Sequence, residues 1–565
     1  MKRLRWQLLI VFLALIAIAV LLISQRPAVL QATAPVVQPS TGGIYTEGIV
    51  GAFGRLNPIL GYYNSADRDV NALIFSGLIR FDDRGLPVAD LAESWGYSSD
   101  GTVYNFSIRQ DAIWHDGEPV SSEDISFTVE LLRNESMPVP EDLRELWNQV
   151  ETIVIDDKTI QFRLPEPFSP FLDYLAFGIL PRHLLQDVPV EALMDDEFNL
   201  EPVGSGPYKF ERLLTEDGAI RGVVLTAFDR YYANRPFIDQ FVIRYYPDEE
   251  TALAAYQQGE ILAISRVTSA TLLEVLQEPE LNLYTGRLPQ LTLIYLNLDN
   301  PRSPFFQESV LRRALIMSLN RQRLVDTVMA GQAILADGPI FPGTWAFYDG
   351  IERIPYDPDA ALQLIKEAGY VIPAEGGNVR VKEDVSFTFE MAYPDDPAHS
   401  ALFESIRSDW AQVGVEVKPV PVSYAELVDE YLEPRTYQAA MVDLNLVRSP
   451  DPDPYPFWGQ AQMTTGQNYA QWDDRRASEY LELARITIDI DERAKAYRNF
   501  QVRFTQEMPA LPLFYPVYSY AVDNQVQGVR VGSLFDPSDR FANVNSWFLV
   551  TRRAESTESI STATP

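Results

Sequence analysis

From Thr102 to Arg109 apolar and polar positions alternate with a period of two. Tyr104, Phe106 and Ile108 fall on one side; Val103, Asn105, Ser107 and Arg109 fall on the other. That is the pattern of a strand with one buried face. Just upstream, Trp95 and Tyr97 share one face of a shorter strand, and Ser98-Ser99-Asp100-Gly101 reads as the turn between the two. A second turn falls at His115-Asp116-Gly117. Ser121, with Asp124 three residues on, then predicts a capped helix. Further along, Leu291 to Asn297 reads as a buried strand. Val310, Leu311, Ala314, Leu315, Ser318 and Leu319 line one face at helical spacing, and Asn320 restarts a helix that stops at Gly331. Asp357-Pro358 opens another helix, with Ala361, Leu364, Ile365 and Ala368 facing inward and Gly369 past its end. Val385 to Met391, a helix from Ala401 to Gln412, and Val415 to Val422 form a strand–helix–strand unit of α/β type.

The two ends depart from this patterning. Lys2, Arg3 and Arg5 precede an unbroken apolar run from Leu8 to Ile23, the form of a signal peptide or a signal anchor at residues 1–23. Ala32-Thr33-Ala34 fits a signal-peptidase site but lies far past the run, which favours an uncleaved anchor. In either case the basic end stays inside and the body lies outside the cytoplasm. Residues 24–43, rich in Pro, Ala, Ser and Thr, read as a flexible linker, and residues 551–565 as a disordered tail.

Composition narrows the classes. At 565 residues the chain is too long for one core and calls for several domains. Asp and Glu number 79 against 46 Lys and Arg, a formal net charge of −33 that argues against nucleic acid or an anionic lipid surface as partner. Cysteine is absent, which excludes disulfides, thiolate metal sites, a Cys nucleophile and a lipid tether on Cys. With 3 His, a His-based metal site is not expected, and no cofactor is implied. No nucleophile elbow, P-loop or metal box occurs. Acidic pairs such as Asp395-Asp396 and Asp473-Asp474 are what 79 acids produce by chance, so a glycosidase couple has no support.

LAESW at residues 91–95, DGTVYNF at 100–106, and the run from Arg109 through Trp114-His115-Asp116-Gly117 to Ile125 together resemble the signature region of family 5 extracytoplasmic solute-binding proteins, the peptide/nickel-type receptors of ABC importers. Phe75-Ser76-Gly77-Leu78, Val203-Gly204-Ser205-Gly206-Pro207-Tyr208, ALAAYQQGE from Ala252 and YDPDAALQLIKEAGY from Tyr356 follow in the family's order. Gly259-Glu260-Ile261-Leu262 departs from its usual Gly-Glu-x-Asp. The resemblance spans roughly residues 44–550. It implies an α/β, two-lobed periplasmic-binding-protein fold of class II type, with an extra subdomain and a hinged ligand cleft. Lobe I would comprise residues 44–85, 204–290 and 505–550, the extra subdomain 86–203, and lobe II 291–504.

The same resemblance implies the function: capture of a small peptide-like or other polar solute outside the cytoplasm, and delivery to an ABC permease and its ATPase subunits by a monomeric receptor. A membrane-anchored ligand sensor and, more remotely, a hydrolase are the rivals. Peptide-binding members place an Asp in a W-x-x-D-x-x-D-P motif to pair with the ligand's α-amino group. Aligned on Asp451-Pro452, this chain has Asn445 at the Trp position and Arg448 at the Asp position. A guanidinium there suits a carboxylate, a phosphate or a hydroxyl-rich ligand. In the empty protein Asp451 or Asp453 would be its partner. Asn64 and Ser65 are expected to offer hydrogen bonds at the edge of lobe I. Tyr295 and Trp345 are expected to offer aromatic surface in the cleft, Trp345 from a turn-rich segment. His115 is expected to shape a turn rather than to act as a base.

Overall fold

A computed structural model describes residues 39–446 and 450–550. The apolar run, most of the linker, the C-terminal tail and Arg448 lie outside those residues. Among the described residues no helix is long and apolar enough to cross a membrane.

One large mixed sheet of 12 strands organises the α/β body. Its order runs Glu416–Val422, Thr388–Pro394, Ala439–Asn445, Gln290–Leu296, Ala510–Asp523, Ala263–Ile264, Ile44–Val50, Gln240–Tyr246, Ala219–Ala227 and Tyr208–Glu216. The 14-residue strand Ala510–Asp523 is the element common to both halves. Its first part pairs antiparallel with Gln290–Leu296 and Ala333–Leu335; its second part pairs with Leu281–Arg287 and Ala263–Ile264. It is buried along nearly its whole length, as its apolar run Ala510-Leu511-Pro512-Leu513-Phe514-Tyr515 requires. Each half of the sheet carries its own apolar packing, around Phe241, Tyr520 and Trp547 in one and around Leu315, Phe389 and Trp410 in the other. This is the two-lobed arrangement.

The patterned hairpin forms as the alternation dictates. Ala92–Tyr97 and Val103–Ile108 pair antiparallel, with Tyr104, Phe106 and Ile108 buried and Asn105 exposed. Thr159–Arg163 and Glu151–Asp156 extend them into a separate 4-stranded sheet. The Asp124 carboxylate accepts from the Ser121 N–H at 2.8 Å and from its hydroxyl at 2.9 Å, opening helix Ser122–Arg133.

The glycines of the 204–206 element are needed for close approach. A Cβ at Gly204 would lie 2.0 Å from the Ile74 carbonyl oxygen, and one at Gly206 2.6 Å from that of Leu73. His115 holds this element in place. The Gly204 N–H donates to its Nδ1 at 3.2 Å, and its Nε2 lies 3.1 Å from the Gly206 carbonyl oxygen. This pattern needs the neutral ring with its proton on Nε2. Burial, the largest influence, pushes the His115 pKa down to about 4. Below pH ~6.5 the unfolded chain takes up a proton that the folded chain refuses. Stability from this residue is therefore full above pH ~6.5 and is lost as pH falls toward 4. Urea titrations between pH 7 and 4 should show that loss in the parent protein and a shallower one in His115→Gln.

Boundaries shift where a cap outranks the apolar period. The helix expected from Ala401 begins at Pro397, because Asp396 caps it, accepting from the Ala398 and His399 N–H groups. The strand expected over Val385–Met391 runs Thr388–Pro394, and Val385–Ser386 belongs to a separate short hairpin. The helix after Asn320 ends at Thr327, short of Gly331.

Candidate functional site

A cavity of about 1170 Å³ lies between segments of the two halves. Leu446, Pro450, Asp451, Asp453 and Arg485 contribute one wall. Tyr62, Asp90, Arg109, Asp173, Tyr174 and Tyr232 are among those facing them.

The floor of the second-half wall is a network of buried charges. Asp451 accepts a hydrogen bond from Arg493 and another, at 3.0 Å, from the Tyr497 hydroxyl. Arg493 also lies over the Trp345 ring, 4.9 Å from its centroid. Asp453 is paired with Arg485, whose Nε lies 3.0 Å from both carboxylate oxygens and whose Nη2 lies 2.9 Å from Oδ2. The Arg485 guanidinium is sandwiched by Tyr455 at 4.5 Å and Phe168 at 5.2 Å. Helix Ile490–Glu507 positions Arg493 and Tyr497 four residues apart on the face that also buries Ala496 and Phe500.

Contacts join the two walls directly. The Asp451 N–H donates to Asp173 Oδ2 at 2.7 Å, the Ser169 hydroxyl donates to the Thr487 carbonyl at 2.6 Å, and the Trp345 N–H donates to the Arg84 carbonyl at 3.0 Å. Burial first, and then the charge of Asp451, push the Asp173 carboxyl well above the usual carboxylate range. On the first-half wall Tyr232 donates to Asp90 and accepts from the Ser76 hydroxyl at 2.9 Å, while the Arg109 guanidinium sits 5.3 Å from the Tyr232 ring centroid. Burial raises Asp90 to about 6 against the pull of the Tyr232 hydrogen bond.

The sequence-predicted residues separate into three groups. Asn445 and Asp451 line the cavity. Asp451 is buried and paired with Arg493, and Asp453 is paired with Arg485. Asn64, Ser65, Tyr295 and Trp345 do not line it. Asn64 is an N-cap: its Oδ1 accepts from the Ala66 N–H at 3.1 Å, and its Nδ2 donates to the Ala52 carbonyl and to Asp67. Ser65 is the exposed first residue of that helix. Tyr295 is 1 % exposed and packs on Trp458 and Tyr469 inside the second half. Trp345 is half-buried over Arg493 instead of open to the cleft. Arg448 lies outside the described residues.

Sequence reasoning missed Asp173, Arg485 and Arg493. A charged residue on the apolar face of the helix at Arg493 was the one available signal. Asp173 had none, because the residue it contacts is 278 positions away.

A profile described as bacterial extracellular solute-binding proteins, family 5 Middle, matches residues 87–467. The dipeptide-binding protein of Escherichia coli is 27 % identical over 469 residues, covering 79 % of this chain and 84 % of that protein. The oligopeptide-binding protein AppA of Bacillus subtilis is 25 % identical over 526 residues, covering 91 % and 92 %. Among solved structures, HbpA2 from Haemophilus parasuis superposes with a TM-score of 0.78 at 22 % identity, covering 90 % of this chain and all of that one; this likeness concerns the fold.

Proposed function

Because the chain belongs to the family 5 bacterial extracellular solute-binding proteins, we propose that its cavity captures a small polar solute outside the cytoplasm and hands it to an ABC transporter permease. The observation that carries this reading is the 1170 Å³ space walled by segments of both sheet halves. A ligand there touches both walls together only when they are close, so binding shifts the population toward closure. The relatives named for dipeptide and oligopeptide binding make a peptide-like solute the nearest class.

Within this reading the lobe boundaries are those set out from the sequence, with Ala510–Asp523 as the strand about which the lobes hinge. Arg448 is assigned to the ligand. It follows lining residue Leu446 and precedes lining residue Pro450 in the chain, and its charge favours an acceptor group over an α-amine. Arg448→Asp should then weaken the solute by about 2–5 kcal/mol, the usual effect of breaking a buried charged hydrogen bond. Calorimetry with the co-purified solute measures it, and an unchanged affinity would remove Arg448 from the site. The N-terminal run is assigned to membrane retention; N-terminal sequencing of the mature protein decides this, and a start at Pro35 would exclude it.

Native mass spectrometry of the purified protein tests capture itself. A stoichiometric small molecule that leaves on denaturation supports it. Catalytic turnover of that molecule, dependent on one cavity carboxylate, would favour the hydrolase instead.

A further inference from the structure

We propose that the solute carries a cationic nitrogen and that Asp173 receives it, with Tyr174 and Phe168 as the aromatic surface beside it. This deepens the capture reading and rests on it. The starting point is a charge count at the cavity floor. Among the described residues three carboxylates, Asp173, Asp451 and Asp453, meet two guanidiniums, those of Arg485 and Arg493. Arg493 is committed to Asp451 and Arg485 to Asp453. Asp173 is left with one backbone N–H, that of Asp451, and among the described residues it has no ion-pair partner.

A half-buried carboxylate without a cation is costly, and it relieves that cost by taking up a proton or by gaining a cation. Asp173 lines the cavity, so the cation can come from a ligand. Its surroundings suit one. Tyr174, the next residue, also lines the cavity, and the Phe168 ring lies 6.0 Å from it. After burial, the nearby carboxyls of Asp453, Asp173 and Asp142 raise the Tyr174 hydroxyl's pKa, and the Arg485 guanidinium opposes them. An acid beside aromatic faces is the chemistry that selects ammonium or guanidinium groups. Asp173 is contributed by the 3-10 turn Ser169–Leu175 of the first-half wall. The carboxylate that peptide-binding relatives use belongs instead to the segment aligned with Arg448.

The groups facing Asp173 fix the sign of the pH dependence. They are Asp451 and Asp453 from the opposing segment and Arg493 from the helix beneath; Asp142 and Arg485 act on the adjoining Tyr174. The two acids hold its proton on, while a bound cation would drive it off. Binding therefore releases a proton, and affinity rises with pH by up to tenfold per unit until Asp173 is ionised.

The test uses stripped protein and three probes: L-argininamide as cation, glucose as neutral hydroxyl-rich solute and citrate as anion. Calorimetry at pH 5.5 and 8 should show argininamide binding, tighter at pH 8, and at least tenfold weaker in Asp173→Asn. The asparagine carbonyl still accepts the Asp451 N–H, so the wall contact survives; an unchanged melting temperature without probe checks that the variant folds. Argininamide binding that is absent, or equal in parent and variant, overturns the proposal. So does a co-purified solute with no basic nitrogen, which would leave capture itself intact. If no co-purified solute is found and none of the probes binds, capture falls as well.

Discussion

Arg540→Met should destabilise the protein by about 3–5 kcal/mol, the expected loss when one partner of a buried ion pair is removed and its counter-charges stay behind. The Arg540 side chain is 0 % exposed. It donates to Glu47 at 2.7 and 3.0 Å and to Asp69 at 2.7 and 2.8 Å. The Tyr45 and Tyr520 hydroxyls each reach the other Glu47 oxygen at 2.7 Å. Glu47 stands on strand Ile44–Val50, Asp69 on helix Ser65–Ile74, Tyr520 on the crossing strand, and Arg540 near the C-terminal end of the body. One guanidinium therefore ties four segments that are far apart in sequence. Removing it strands two carboxylates in the core. Adding Asp69→Asn to Arg540→Met removes one of them and should recover part of the loss. Urea unfolding of the parent, the single and the double variant measures both effects. A single variant within about 0.5 kcal/mol of the parent, the range of ordinary surface changes, would show that the network bears no such burden.

Arg493→Met should cost a similar amount, about 3–5 kcal/mol, but with a strong dependence on pH. Without Arg493, Asp451 keeps only two neutral donors, the Tyr497 hydroxyl and the Asp453 N–H, and sits against Asp173 and Asp453. Three carboxylates would then share the Arg485 charge. Protonation relieves their repulsion, so the variant's deficit is largest at alkaline pH and shrinks as pH falls. Unfolding at pH 8 and pH 5 reads the difference, and a deficit that is constant across that range would mean the acids are not coupled as their spacing indicates. Trp345 fluorescence should change in the same variant, because the ring loses the guanidinium it stacks on.

Much of the scaffold was legible from local pattern. The hairpin at Ala92–Ile108 follows from strict alternation and a glycine turn, and helix Ser122–Arg133 from its cap. Gly204 and Gly206, one part of the family resemblance, are positions whose missing side chains the fold needs. The site was less legible, for physical reasons. Tyr295 lies in a strand whose residues are apolar on both sides, so periodicity could not say which side meets solvent. Asn64 offers the same amide whether it caps a helix or binds a ligand, and only the closeness of Ala66, Ala52 and Asp67 decides between them. The pairing of Asp451 with Arg493 spans 42 positions, and that of Asp90 with Tyr232 spans 142. Such partners are set by topology, which local spacing does not encode.

The central claim is that the space between the two walls closes on a solute. Small-angle X-ray scattering on protein stripped by denaturation and refolding, before and after its co-purified solute is restored at saturation, tests it most directly. The account predicts a smaller radius of gyration with solute bound, as the population shifts toward the closed arrangement in which Asp173 and the Asp451 segment touch. An unchanged radius at saturation would contradict it.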